Sequence, residues 1–230
     1  MNKRSFGLNG NQLKILALII MTVDHIGMLL FPYTTELRII GRLAYPIFAF
    51  MIAEGCRYTK NRKKYLLSVA AVAFVCQLVY LIAMKSLYMC IFVTFTFSII
   101  LIYTLDFARD KKKLWAWALA ALVLLAVIFI AYVVPRKFPI RDFRIDYGIV
   151  GILVPVFIYI GRNKWEKLFL AAFILCVLCI DYKGIQWYCL LALPLIALYN
   201  GKRGKLKMKY LFYIYYPLHL VALHFLSNVI

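Results

Sequence analysis

Acidic residues are scarce in this chain: nine Asp and Glu stand against 28 Lys and Arg among 230 residues, a formal net charge of +19. On a soluble fold that imbalance, gathered into one patch, would suggest nucleic acid. Here the basic residues sit in short clusters between apolar runs, which excludes that partner. Long polar stretches are missing too, so no soluble domain with a separate activity fits between those runs. There is no Gly-rich phosphate loop, no GxSxG elbow and no repeat of about 20–50 residues, which removes the P-loop, α/β-hydrolase and solenoid classes. The six cysteines lie mostly inside apolar segments and read as small buried hydrophobes. Cys176 and Cys179, in "ILCVLCI", form a CxxC without a second pair, so neither a zinc site nor a disulfide framework follows. No metal is expected.

Apolar residues are abundant instead. The chain is 65% hydrophobic with a mean hydropathy of +0.85, against roughly 45–50% apolar residues in a soluble domain. That composition describes an all-α, polytopic transmembrane bundle, read as a single domain over residues 1–230. A spanning helix needs about 20 mostly apolar residues. The sequence predicts such helices at 13–31, 38–56, 65–84, 87–108, 114–134, 146–161, 165–181, 184–199 and 210–228. The first apolar run lacks a small-residue cleavage site, which argues against a cleaved signal peptide.

Cytoplasmic loops carry the excess of Lys and Arg. With the N-terminus inside, the clusters fall on one side: Lys3, Arg4 and Lys14; Arg57, Lys60 and Arg62 to Lys64; Arg109 and Lys111 to Lys113; Arg162, Lys164 and Lys167; Lys202, Arg203, Lys205, Lys207 and Lys209. The segment 135–146 resists the pattern, because Arg136, Lys137, Arg141 and Arg144 fall on the predicted outer side.

Ionisable groups inside a bilayer are costly and face a bundle interior or a wet cavity, so they are the functional candidates. "MTVDHIGMLLF" places Asp24 and His25 in the outer half of the first helix. Arg38 and Arg42 are four residues apart and share a face. If the hairpin turns at Pro32, Arg42 reaches the depth of Asp24, and an ion pair between them is natural. Neighbours on a helix point about 100° apart, so Asp24 is poorly placed to orient His25 and reads as structural, leaving His25 as the chemical group. In "YLFYIYYPLHL", Pro217 precedes His219, whose depth is close to that of His25 at about 1.5 Å per residue. Tyr213, Tyr215 and Tyr216 are candidate lining. Glu54 lies near the inner end of the second predicted helix, placed to meet a ligand or to pair Arg57. Asp146 opens the sixth, where a cap is its simplest role. Thr94, Thr96, Ser98 and Gln77 fit hydrogen bonds between helices. Gln186 and Trp187 are candidate lining of the same cavity.

The runs "LKILALIIMTVDHIGMLLFP", "LRIIGRLAYPIFAFMIAEGCRYTKNRKKYLL", "DYGIVGILVPVFIY", "LLALPLIALYNGKRG" and "KYLFYIYYPLHL" resemble, in this order, the TraX family of bacterial integral membrane proteins. The resemblance implies a multi-pass protein of the bacterial cytoplasmic membrane. TraX is associated with N-acetylation of a conjugative pilus subunit, and the family is similar to transmembrane acyltransferases such as the lysosomal heparan glucosaminide acetyltransferase. It implies cytoplasmic acetyl-CoA as co-substrate and an acceptor amine or hydroxyl at or beyond the membrane: a peptide, an envelope glycan or a secreted small molecule. Carried onto this sequence, it makes His25 the catalytic candidate, with Asp24, Arg42 and His219 around it, and Arg38, Glu54, Tyr216, Asp146 and Gln186 as binding candidates. Histidine suits the chemistry, since acyl transfer needs a base near neutral pH and positive charge where an oxyanion forms. His25 could act as that base or carry the acetyl group itself. A proton-coupled transporter using the same buried charges is the competing expectation, and a scaffold the third.

Overall fold

The computed structural model describes residues 7–138, 140, 142–204, 209–227 and 229, with the backbone alone at Lys209, Tyr210, Phe212 and Tyr213. Lys3, Arg4, Arg141, Lys205, Lys207 and the side chains of Lys209 and Tyr213, all named above, lie outside the described residues. Among the described residues there is no strand, only two isolated bridges, Leu8 with Tyr199 and Met89 with Ile145. The fold is all-α. It divides into two compact units, Met1–Met51 with Gly161–Ile230, and Ile52–Ile160.

The first unit is built on α1 (Gly10–Leu29). Asn9 starts it with a capping box: its side chain accepts from the N–H groups of Asn11 and Gln12, and the Gln12 amide oxygen accepts from the Asn9 N–H at 2.9 Å. Two helices follow, α2 (Thr35–Gly41) and α3 (Ala44–Tyr58), the latter passing into the second unit from Ile52 on, where the sequence predicted one over 38–56. Pro46 explains the break. Its ring meets the carbonyl four residues back, that of Arg42, and it has no N–H to offer. The unit continues with α9 (Lys164–Tyr182), a 3-10 segment Gly184–Leu191, α10 (Ala192–Ala197) and α11 (Lys209–Ser227).

The predicted helix 184–199 is thus a 3-10 segment joined to one short α-helix. Lys183 and Gly184 both take positive φ, and Pro194 removes the N–H that would serve the carbonyl of Leu190. At about 2.0 Å per residue in the tighter form and 1.5 Å in the α form, this segment reaches about 25 Å, most of a bilayer core of about 30 Å. A closed loop finishes the unit: Leu8 donates to the Leu198 carbonyl at 2.8 Å and Asn200 to that of Leu8 at 2.9 Å.

The second unit holds α4 (Arg62–Ile82), α5 (Ile91–Lys111), α6 (Leu114–Ile128), continued by a π-helical turn Phe129–Val133 into α7 (Val134–Lys137), and α8 (Gly148–Ile160). Thr94 and Ser98 are buried on α5 and donate to the carbonyls of Asp146 and Ile152, each at 2.7 Å. Thr96 returns its hydroxyl to Phe92 of its own helix. The predicted start of α5 at 87 moves to Ile91, because residues 86–89 are held elsewhere. Leu87 donates to Asp142 at 3.1 Å, Ser86 to the same carboxylate, and Met89 to the Arg144 carbonyl at 2.8 Å. Arg144 and Asp146, in the segment 135–146 whose charges resisted the loop pattern, therefore pair backbone to backbone with Met89 in the loop after α4.

Five stretches among the described residues are long and apolar enough to cross a membrane: Gly10–Leu29, Thr35–Tyr58, Arg62–Ile82, Ile91–Lys111 and Leu114–Lys137. Gly148–Ile160, Gly184–Ala197 and Ile214–Ser227 are shorter apolar helices. Large apolar side chains such as Leu67, Phe74, Leu122 and Phe169 are exposed along these helices, the surface that lipid tails cover. The chain is a multi-pass membrane protein.

Candidate active site

Eight of the residues singled out above meet within the first unit: Asp24, His25, Arg38, Arg42, Gln186, Tyr215, Tyr216 and His219. Asp24 on α1 takes both arginines of the following turn. Oδ1 lies 2.8 Å from Arg42 Nη2 and Oδ2 lies 2.8 Å from Arg38 Nη1. Arg38 Nη1 also donates to the Asp24 carbonyl at 2.9 Å, and Arg42 Nε to that of Arg38 at 3.2 Å. Two guanidinium groups on one carboxylate leave a surplus of one positive charge. Gln186, buried on the 3-10 segment, extends the cluster, its Oε1 standing 3.5 Å from Arg42 Nη1.

His25 occupies the next position on α1 and faces α11. Its Nδ1 is 2.8 Å from Nε2 of His219, whose own Nδ1 is 2.9 Å from the Tyr215 carbonyl. The carbonyl can only accept, so His219 Nδ1 carries a proton. In the neutral pair, His219 Nε2 is then the acceptor and His25 Nδ1 the donor. The lone pair of His25 is left on Nε2. The assignment follows from the hydrogen-bond chain alone.

Aromatic rings lock this arrangement. Tyr215 stacks on His219 with centroids 5.2 Å apart and planes 8° apart, and its hydroxyl is 2.7 Å from Thr22 Oγ1. The buried Tyr216 meets both imidazoles edge-on, at 6.2 Å from His25 and 5.2 Å from His219. Pro217 sits between these tyrosines and His219, inside α11, and cannot donate to the carbonyl four residues back. Arg38 and Arg42 lie within electrostatic range of His25. The arrangement supplies a basic nitrogen with a fixed tautomer beside excess positive charge, which is what proton removal coupled to oxyanion formation requires.

Glu54 and Asp146 belong to the second unit. Glu54 is buried on α3, and Arg57, one turn on, donates to the Tyr159 carbonyl and lies over that ring at 5.1 Å. Asp146 accepts the Tyr88 hydroxyl at 2.6 Å and donates its N–H to Met89 at 3.0 Å. Thr22 was not anticipated from sequence as part of the site, and Tyr215, expected as lining, takes part through its carbonyl as well as its ring. The signal was available in the spacing: Thr22 lies three residues before His25, and Tyr215 four before His219, each on the face of its histidine. Of the cysteines, Cys179 leaves its CxxC neighbour and meets Cys189, with Sγ atoms 3.6 Å apart.

Comparison with known proteins finds similarity over nearly the whole chain. A probable fimbrial assembly protein FimC, serogroup H1, from Dichelobacter nodosus is 25% identical over 241 aligned residues, covering 96% of each chain. An uncharacterized protein RP591 from Rickettsia prowazekii (strain Madrid E) is 60% identical over 38 residues, which take in 16% of this chain and 15% of that protein's length. No solved structure matches. The family model described as TraX protein matches residues 9–227, a span that contains every residue of the histidine and arginine cluster, and the chain belongs to the TraX family.

Proposed function

We propose that this protein is a membrane-embedded acetyltransferase that moves an acetyl group from cytoplasmic acetyl-CoA to an amine or hydroxyl at or beyond the cytoplasmic membrane of a bacterium. The observation that carries this reading is the chain Tyr215 carbonyl, His219, His25, set beside Asp24, Arg38 and Arg42. In the reaction, His25 Nε2 removes the proton of the acceptor as its nitrogen or oxygen bonds to the thioester carbonyl carbon. The guanidinium groups stabilise the oxyanion, the carbon–sulfur bond breaks, and the proton held by His25 neutralises the leaving thiolate. If His25 attacks the thioester first, the same atoms run as two half-reactions through an acetyl-imidazole, with ping-pong kinetics. The name of the Dichelobacter relative makes the amine of a fibre subunit the first acceptor to test.

The test is release of CoA thiol from acetyl-CoA by purified full-length protein, beside His25→Ala matched by size exclusion. Wild-type turnover that falls by about 10²–10⁴ in the variant is the expected result, the range for a lost general base. Wild-type protein that binds no acetyl-CoA overturns the reading and leaves the proton-coupled transporter in its place.

A further inference from the structure

His25 and His219 together can hold one added proton and no second. Their facing nitrogens stand 2.8 Å apart, a distance that needs one hydrogen and one lone pair between them. His219 Nδ1 keeps its hydrogen for the Tyr215 carbonyl at 2.9 Å, so the open lone pair of the neutral pair is that of His25 Nε2. A proton arriving there leaves the bond between the rings in place. A further proton would set two N–H groups against each other across 2.8 Å, in a cluster where Asp24 answers only one of its two guanidinium charges.

The acids of the first unit offer no second proton acceptor at the cluster. Among its described residues they are Asp24, Glu36, Glu166 and Asp181. Asp24 lends one oxygen to each guanidinium. Glu166, at the start of α9, receives the N–H of Arg162 at 2.8 Å and the side-chain amide of Asn163 at 2.6 Å. Glu36 and Asp181 are exposed, and Glu36 stands two residues before Arg38, a spacing that turns the two side chains to opposite faces of α2.

The two classes of acceptor differ in the protons they bring. A hydroxyl gives up one: it passes to His25 Nε2 as the oxygen bonds to the thioester carbon, then to the thiolate as the carbon–sulfur bond breaks, and the site ends as it began. Near pH 7 an amine arrives as ammonium, apart from about a tenth of α-amino groups and about one in a few thousand lysine side chains. Ammonium must lose one proton before its lone pair can attack and another as the amide forms, and coenzyme A carries off only one of them. The other has no acceptor here, and the incoming cation meets two arginines whose shared carboxylate is already taken.

From this we infer that the acceptor is a hydroxyl and that the protein makes acetyl esters, not acetyl amides. The inference rests on the acetyltransferase reading and narrows its acceptor, setting hydroxyls ahead of the amine considered above.

The experiment supplies radiolabelled acetyl-CoA to disrupted envelope membranes of the bacterium that carries the full chain, beside membranes from cells that lack it, and asks how the chain-dependent label is bonded. Label on the chain's own band is set aside, because an acetyl-imidazole is also labile. Mild alkali releases acetyl esters as acetate and leaves acetyl amides, so nearly all of the remaining label should be released. His25→Gln, present at the wild-type level on an immunoblot, should lower the label by about 10²–10⁴. Alkali-stable label, or ester label that persists in His25→Gln, overturns the hydroxyl inference and leaves the acetyltransferase reading standing. Wild-type membranes with no chain-dependent label in any fraction overturn both.

Discussion

Gly41 on α2 faces Asp24 on α1 so closely that a β-carbon there would lie 1.9 Å from Oδ1 and 2.3 Å from Cγ. The approach lets Arg38 and Arg42 bracket one carboxylate, since any larger residue would hold α2 off α1. Gly27 serves the same contact from the other helix, where a β-carbon would come within 2.7 Å of Leu37 Cβ. Gly41→Ala must therefore displace Asp24, at an overpacking cost of about 1–3 kcal/mol. For a chain of this size that is a fall of several degrees in Tm. Differential scanning fluorimetry in detergent measures it, and an unchanged Tm would show that the two helices separate at little cost.

Asp24 carries more than either arginine. Asp24→Ala leaves two cations together in a partly buried site, whereas Arg38→Ala leaves a pair intact. With side-chain exposures of 13–24% for the three groups, losing the shared carboxylate should cost towards the lower end of about 3–5 kcal/mol. The double variant Asp24→Ala with Arg38→Ala should be less damaged than the sum of the singles, by about 1 kcal/mol or more. Additive losses in a denaturation cycle would mean that the contact is energetically idle.

Much of this was legible in the sequence because hydropathy and charge act at short range. The run around Asp24 and His25, the spacing of Arg38 and Arg42, and the depth of His219 each follow from helical rise and the cost of a charge in lipid. Gln186, expected from sequence as cavity lining, stands 3.5 Å from Arg42, yet the 3-10 form of its segment was hidden, because apolar content does not distinguish two helical pitches. Pro46 could have been read as the end of α2, since its missing N–H and its ring act on Arg42. The contact of Cys179 with Cys189 and the pairing of Asp142, Arg144 and Asp146 with residues 86–89 were out of reach, as both depend on tertiary packing that no local periodicity records.

Tyr88, in the loop between α4 and α5, is held protonated by burial first and by the neighbouring Asp146 carboxylate second, so its phenol is pushed up from the ordinary value near 10. A raised folded value means that stability is fully present below pH about 10 and is lost above it, where only the unfolded chain ionises, by up to about 1.4 kcal/mol per pH unit. Wild type and Tyr88→Phe should therefore differ by a constant amount from pH 6 to 9, about the worth of one hydrogen bond to a charged acceptor. The difference should shrink above pH 10. Urea titrations at stepped pH measure it, and a gap that stays constant to pH 11 would contradict the shift.

His219 acts on His25 through a tautomer, and that can be observed without any substrate. With the Tyr215 carbonyl accepting at 2.9 Å and the imidazoles 2.8 Å apart, both neutral rings carry their proton on Nδ1. Nitrogen-15 solid-state spectra of histidine-labelled protein should then show two Nδ1–H rings with this coupling besides His224. An Nε2–H signal for His25 would reverse the assignment. Replacing His219 by Ala removes the acceptor for His25 Nδ1 and frees that ring to exchange tautomers, so kcat for thiol release should fall by about 10–10², less than for His25→Ala, because the base is still present. The amide oxygen of His219→Gln can still accept from Nδ1, and this variant should recover part of the loss, with KM for acetyl-CoA nearly unchanged in both. A KM that rises as kcat falls would instead place His219 against the substrate.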